Sequence, residues 1–419
     1  MSVFNRKCVK RCSRSLCIGL LSGLFAVAAR AEIHNIEATF QPDPANPHKN
    51  QFKNQTPSEG FCRQAPEACE SAGLFSLIAS IPFTANAPIK ANHADPRQGG
   101  MAKVPSSWRD VTVTHTSGET TTLQLRIAGI GHELGLPLAV HEITEGGWWD
   151  ELWEGGAWLY APAPCQGVGM YTSGWHGYNS FWKVPEGAGM CSKKAKFDIP
   201  MAMRYLYFVY AYELRTPDPL KMGSGEYTGT VTYTVGPGQD FDMGDVMIPA
   251  DNLLIMNFRL IVSHTLKVDI PPGGNRVILE PQGGWQSWLS EGRKPTRLFR
   301  DQTFNISASS RFKMNLQCQY VSGINCALWE PISGHAVPLE VGVTLPGGLT
   351  DGLGQAVTRR PLRRDGVGTE LFQAGFYVDQ KPGTLHFEVA REAVNDMLHP
   401  GVSRSYSGNV TVIWDSEVG

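Results

Sequence analysis

Two stretches of the chain are written in nearly the same pattern, Tyr227-Thr-Gly-Thr-Val-Thr-Tyr-Thr-Val235 and Tyr406-Ser-Gly-Asn-Val-Thr-Val-Ile-Trp414. In each, β-branched and aromatic residues alternate with small polar ones behind an early glycine, which is the signature of a strand. A repeated strand of this kind predicts two similar β units in tandem, each finishing on its own copy. The second copy falls at the end of the sequence. A sandwich that finishes on an exposed edge strand leaves a row of backbone groups that a partner must satisfy.

The rest of the chain agrees with an all-β fold. Forty-five glycines and twenty-eight prolines interrupt it often, leaving short alternating runs such as Val111–Thr116, Thr121–Ile127 and Phe304–Ser309. Leu206–Leu214 and Asn257–Ile270 read as longer strands, and Arg391–Leu398 as the one helix worth naming. Many short strands separated by turn residues predict sandwiches. The Gly- and Asp-rich stretch Gly236–Asp245 follows the first copy of the motif and reads as a boundary. The expected organisation is a leader at 1–31, a first domain at 32–238, a linker at 239–249 and a second domain at 250–419.

Arg6, Lys7, Lys10, Arg11 and Arg14 precede an apolar run from Leu16 to Ala29, and Ala29-Arg30-Ala31 follows as a small-x-small cleavage site. This is the pattern of a secretory signal peptide, cut before Glu32. The apolar run is too short to span a bilayer, and no later stretch is longer, so no transmembrane segment is expected after its removal. Removing residues 1–31 takes away six basic residues and no acidic one, which moves the formal charge from −2 to −8. An acidic chain with few basic clusters argues against nucleic acid and anionic membranes as partners. Six of the nine cysteines remain: Cys62 and Cys69, Cys165 and Cys191, Cys318 and Cys326. Export favours disulfides, and sequential pairing would keep each bridge local, although the sequence alone leaves the connectivity open. No Cys-x-x-Cys or paired-His spacing supports a metal site.

Residues 148–182 hold six of the eleven tryptophans, Trp148, Trp149, Trp153, Trp158, Trp175 and Trp182, with tyrosines 160, 171 and 178 among them. Aromatic rings on loops stack on sugar faces or form protein-binding patches; the alternative is core filling beneath a loop stapled by Cys165 and Cys191. Catalytic patterns are weak by comparison. His132-Glu133 begins like a zinc-protease helix, but Leu136 stands where the second histidine would be due. No Gly-x-Ser-x-Gly elbow, phosphate-binding loop or dinucleotide fingerprint occurs. Asp150, Glu151 and Glu154 could serve a glycosidase, yet nothing else supports one. No enzyme and no cofactor is expected.

In this order of parts the chain resembles the two-domain tip adhesins and initiating minor pilins of chaperone–usher fimbriae, of the colonisation-factor and cable-pilus initiator type. The resemblance rests on Asp198-Ile-Pro-Met, the strand to Leu214 and the Tyr227 motif, which look like the end of an adhesin domain. The Tyr406 motif looks like the last strand of a pilin domain. The chain departs from the pattern where Cys318 and Cys326 form a short loop. The resemblance implies two immunoglobulin-like sandwiches, the second lacking one strand. A periplasmic chaperone, and later the adjacent pilin subunit, would lend that strand. Tyr406, Gly408, Val410, Val412 and Trp414 would form this interface, with Tyr406, Val410, Val412 and Trp414 sharing one face.

The resemblance further implies an outer-membrane usher, passage through the periplasm to a fimbrium on the cell surface, and a host glycan or glycoprotein receptor. No receptor motif carries over by residue, so the candidates come from composition: Trp148, Trp149, Trp153, Trp175 and Trp182, with Arg204 as a charged contact or the partner of a surface carboxylate. Two rivals stand beside this expectation. One is a secreted carbohydrate-active enzyme whose aromatic loop lines a cleft. The other is a shaft pilin that uses residues 32–44 as its own donor strand, a segment that reads equally as the first strand of the first domain.

Overall fold

The computed structural model describes residues 31–416 apart from 368, 370 and 399–403. Residues 1–30 of the expected leader therefore lie outside the described residues. The chain is mostly β-sheet and gathers around two separate buried cores, whose surrounding residues we call the first and second units. All three sequential cysteine pairs are bonded, Cys62–Cys69, Cys165–Cys191 and Cys318–Cys326.

The main strands of the first unit are β1 (Glu32–Phe40), β2 (Arg109–His115), β3 (Thr120–Gly135), β4 (Gly177–Lys183), β5 (Arg204–Arg215), β6 (Gly225–Thr234) and β7 (Leu253–Val262). They pair in the order β5, β3, β2, β6, β7, β1, and β4 joins the far half of β3. Alternation explains which face is buried. On β7 the even positions Leu254, Met256, Phe258, Leu260 and Val262 are at most 2% exposed, and on β1 Ile36, Ala38 and Phe40 match them. The middle of β3 is buried on both faces. Its outer face carries a smaller apolar cluster built from Phe61, Leu74, Phe181 and Val209 around the Cys62–Cys69 bridge.

The second unit comprises β8 (Leu266–Asp269), β9 (Leu298–Ala308), β10 (Phe312–Cys318), β11 (Asn325–Glu330), β12 (His335–Thr344), β13 (Val378–Val389) and β14 (Val410–Ser416). One sheet runs β8, β9, β13, β12, β11; the other ends with β10 and β14. The helix expected near 391–398 is present at Arg391–Met397 and buries Ala393 and Val394.

Two expectations about organisation fail. The stretch expected as a linker at 239–249 lies within the first unit. Arg97 binds Asp242 at 2.8 Å and Asp245 at 2.6 Å, Lys103 and Asp242 exchange backbone hydrogen bonds, and Met247–Pro249 adds a short strand against Phe83–Ala85. Of the Asp residues that suggested a solvated linker, Asp242 and Asp245 pair with the part-exposed Arg97, and Asp240 accepts from the Thr234 amide at 2.8 Å. The long strand expected at Asn257–Ile270 is two strands, and the chain passes between units at residues 263–265. The inward row of even positions continues through this point, but its member there is the polar His264 instead of an apolar residue. That substitution marks the crossing. His264 Nε2 meets the Met222 carbonyl at 2.9 Å in the first unit, and Nδ1 meets Ser309 Oγ at 3.1 Å in the second.

Candidate functional site

Each copy of the repeated motif performs the same local task at its glycine. A Cβ on Gly229 would lie 2.4 Å from the Thr112 carbonyl oxygen, and one on Gly408 would lie 2.9 Å from that of Ala327. Only glycine lets the neighbouring backbone come this close. Tyr227 accepts from the Gly223 amide at 2.9 Å and donates to Glu119 at 3.2 Å. The Tyr406 hydroxyl meets His335 Nδ1 at 2.8 Å.

Beyond the glycine the copies diverge. The first continues as β6, which does not close its unit, because β7 follows and pairs with it from Gly225↔Val262 to Thr234↔Leu253. β7 in turn is covered by β1, which runs parallel to it from Glu32↔Leu254 to Phe40↔Val262. Residues 32–40 are thus already engaged within their own unit. The second copy breaks at Gly408. Ser407 pairs with Trp329 at the end of β11, and the chain then crosses to β10, against which β14 runs from Cys318↔Val410 to Phe312↔Ser416.

β14 is the edge of its sheet, and its outer side pairs with no strand among the described residues. Val410, Val412 and Trp414 point into the second core yet stay only half-buried, unlike the fully covered row on β7. The Trp414 ring lies 4.9 Å from Phe304 and 5.8 Å from Phe312, both fully buried. The facing sheet also ends on a short strand, β8, whose inward Leu266 and Val268 are half-buried. Because Phe304 lies on β9, the neighbour of β8, the contact from Trp414 sets the two open edges on one side of the sandwich. Leu266 and Val268 are the residues that sequence reasoning missed here. The polar His264 within the inward row was the signal that they begin a new core.

The aromatic segment separates into two classes. Trp149, Trp153 and Trp182, expected as receptor contacts, are at most 1% exposed and belong to the first core, as does Trp158. Trp182 stacks on Trp158 at 4.7 Å, and Lys193 holds the nearby turn by donating to the Gly156 carbonyl at 2.8 Å. Burial pushes the Lys193 ammonium down to about 8. These rings cannot meet a receptor, because filling the core beneath a disulfide-stapled loop removes them from the surface. Trp148 and Trp175 are exposed, 37% and 56%, and meet edge to face at 4.8 Å, with His141 against Trp175 at 4.7 Å. Arg204 is also exposed, on the outer face of β5, with its stem over Gly135.

The residues weighed for catalysis have structural tasks. His132 is on a strand, not a helix, packed 4.3 Å from Tyr205, and burial alone pushes its pKa down to about 3. Asp150 accepts from the Ala157 amide at 3.1 Å, Glu151 from the Trp148 amide at 2.7 Å, and Glu154 lies 3.6 Å from Lys194. Among the described residues no group of three His, Cys, Asp or Glu side chains is placed to hold a metal ion.

No protein family and no curated protein matches the chain. Among solved structures, it aligns with a chain from a study of the chaperone–tip adhesin complex in CFA/I fimbriae biogenesis, at 9% identity and a TM-score of 0.25, covering 93% of this chain and 97% of that one. It also aligns with a chain of the CsuC–CsuE chaperone–tip adhesion subunit pre-assembly complex from archaic chaperone-usher Csu pili of Acinetobacter baumannii, at 8% identity and a TM-score of 0.21, covering 92% and 99%. Scores this low carry no argument, so any functional reading rests on the residues themselves.

Proposed function

We propose that the chain is a fimbrial tip adhesin or minor pilin, which attaches a bacterium to host surface receptors and joins the fibre by accepting a donated strand at β14. The observation that carries this reading is the half-covered row Val410, Val412 and Trp414 on a strand with one unpaired side. Apolar side chains that remain half-wet forgo part of the roughly 25 cal/mol per Å² that burial yields, and an added strand would recover it together with a ladder of hydrogen bonds. In this reading a periplasmic chaperone lends the strand first and an adjacent subunit replaces it at the outer-membrane usher. The first unit needs no such help, since β1 already covers β7. It would present Trp148, Trp175 and Arg204 to the host glycan or glycoprotein.

The test is a fusion. A donor peptide attached after Gly419 should raise the melting temperature of the second unit, and the unfused chain expressed in the periplasm should need a cognate chaperone to accumulate. A stable, monomeric unfused chain whose melting no donor peptide changes would sink the reading.

A further inference from the structure

The inward row of β9 runs Leu298, Arg300, Gln302, Phe304, Ile306 and Ala308. Register fixes its direction: Leu298, Arg300 and Gln302 stand opposite Val389, Phe387 and Leu385 of β13, all three of them members of the second core. Paired residues of an antiparallel ladder share a face. Arg300 and Gln302 are therefore two polar side chains on the core face of an otherwise apolar row. Leu298 is 4% exposed and Phe304 is fully buried, whereas Arg300 between them is exposed and Gln302 half-buried. Their neighbours on β13 are covered, so the opening lies along the other side of β9.

The backbone shows the same gap. β8 pairs with β9 only from Asn305 to Ala308. The chain next meets β9 at Glu280, which exchanges backbone hydrogen bonds with Phe299 at 3.0 and 3.2 Å. Between these points, residues 300–304 have no strand on their outer side among the described residues. The Thr303 carbonyl shares the parity of Phe299 and so points to this open edge. Gln302 donates its own side-chain amide to it at 2.9 Å, where a neighbouring strand would otherwise bond.

The other wall of the opening is β14. Trp414 lies over Phe304, and Ser416 pairs with Phe312, which follows closely on the end of β9. From Trp414, Val412 and Val410 therefore run towards the Leu298 end, alongside Gln302 and Arg300. A strand added to the open side of β14 would lay its inward side chains over this polar pair. Its two ends would meet apolar side chains packed on the second core, Leu266 and Val268 at one and Leu279 at the other.

Arg300 makes no ion pair among the described residues. Asp301 points to the opposite face, where His386 holds it at 2.7 Å and Arg359 at 3.4 Å, and Glu280 only shares a cleft of about 230 Å³ with Arg300. Covering an unpaired guanidinium is costly, and a carboxylate that meets it through two parallel hydrogen bonds offsets that cost. We infer that the donor strand accepted at β14 carries one acidic residue among its inward apolar side chains, and that Arg300, with Gln302 beside it, selects for that acid. The inference rests on the strand-accepting reading of the second unit and adds a rule of partner choice. A purely apolar donor, or one with a cation at this place, is disfavoured.

The experiment uses the chain from Glu32 to Gly419 with short donor segments of alternating threonine and valine fused behind Gly419 through a flexible linker. One inward valine at a time is replaced by glutamate or by lysine, which scans the register, and calorimetry reads the melting of the second unit. At one position the glutamate donor should melt about 2–4 °C or more above the all-valine donor, and the lysine donor below it. In Arg300→Glu the order should reverse, and in Arg300→Gln the advantage of glutamate should vanish; either variant that keeps its unfused melting temperature suffices. An all-valine donor that equals every glutamate donor, or a glutamate preference that persists in Arg300→Glu, would mean that the guanidinium bends round the edge into water. That result overturns the inference and leaves strand acceptance standing. Donors that change melting at no position would overturn both.

Discussion

At the scale of single residues, the difference between a buried and an exposed ring decides what the aromatic segment can do. Composition announced a concentration of tryptophan, but burial is set by which strand or loop each ring sits on. Nothing in the local sequence separates Trp148 from Trp149. Replacing Trp148 and Trp175 together by alanine should leave the melting temperature within a few degrees while lowering adhesion; an equal loss of fold would return both to a structural role. His132 gives a pH prediction. Its folded-state pKa, about 3, lies below the unfolded value of 6.5. Between these values the unfolded chain binds a proton that the folded chain refuses. The stability of the first unit is therefore full above about pH 6.5 and falls as pH drops toward 3, at up to about 1.4 kcal/mol per pH unit from this group. Denaturant melts of His132→Phe across that window should show a slope shallower by about one proton, whatever the overall cost of the substitution. An unchanged slope would mean that His132 is not held neutral.

Among elements, β7 and β14 are the instructive pair. Both alternate an inward apolar row with an outward row of mixed character (Leu253, Ile255 and Ile261 on β7, Ile413 on β14), and both were legible as strands; what the sequence did not show is which one gains a cover. β1 reads equally as a donor or a first strand, because a parallel partner leaves no turn signal between it and β7. Phe40 closes that cover, with Phe52 and His264 around it at 6.3 and 5.7 Å. Phe40→Ala should cost the first unit about 3–5 kcal/mol, the usual price of truncating a buried phenylalanine. Val412→Ala on β14 should cost only about 1 kcal/mol without a donor strand, since half-burial gives less than the full transfer energy, and measurably more with one fused. Chemical denaturation of the fused and unfused chains would read both; equal costs of Val412→Ala in the two forms would argue that no donor reaches that edge. The break of the second motif at Gly408 was also hidden, because the two copies look alike until their neighbours, β2 and β11, are known.

For the whole molecule, the mostly-β class was legible in the short alternating runs, while the passage between the two cores was not. A glycine- and aspartate-rich stretch suggested the boundary, while the actual crossing sits within what looked like one uninterrupted strand. Two cores predict two calorimetric transitions, and a donor peptide should move one of them only. A single transition shifted as a whole would show the units to be thermodynamically one. The crossing itself carries a mechanical consequence. The chain leaves the first unit at the end of β7, a strand hydrogen-bonded along its length to β6 on one side and β1 on the other. If the bacterium pulls on the second unit while the first is held, tension enters along the axis of β7, and both ladders are loaded in shear, where many bonds must yield together. The rate of forced unfolding, not the equilibrium stability, then sets how long the joint lasts under flow. The parallel strand that looked like a spare donor becomes the second plank of the tether.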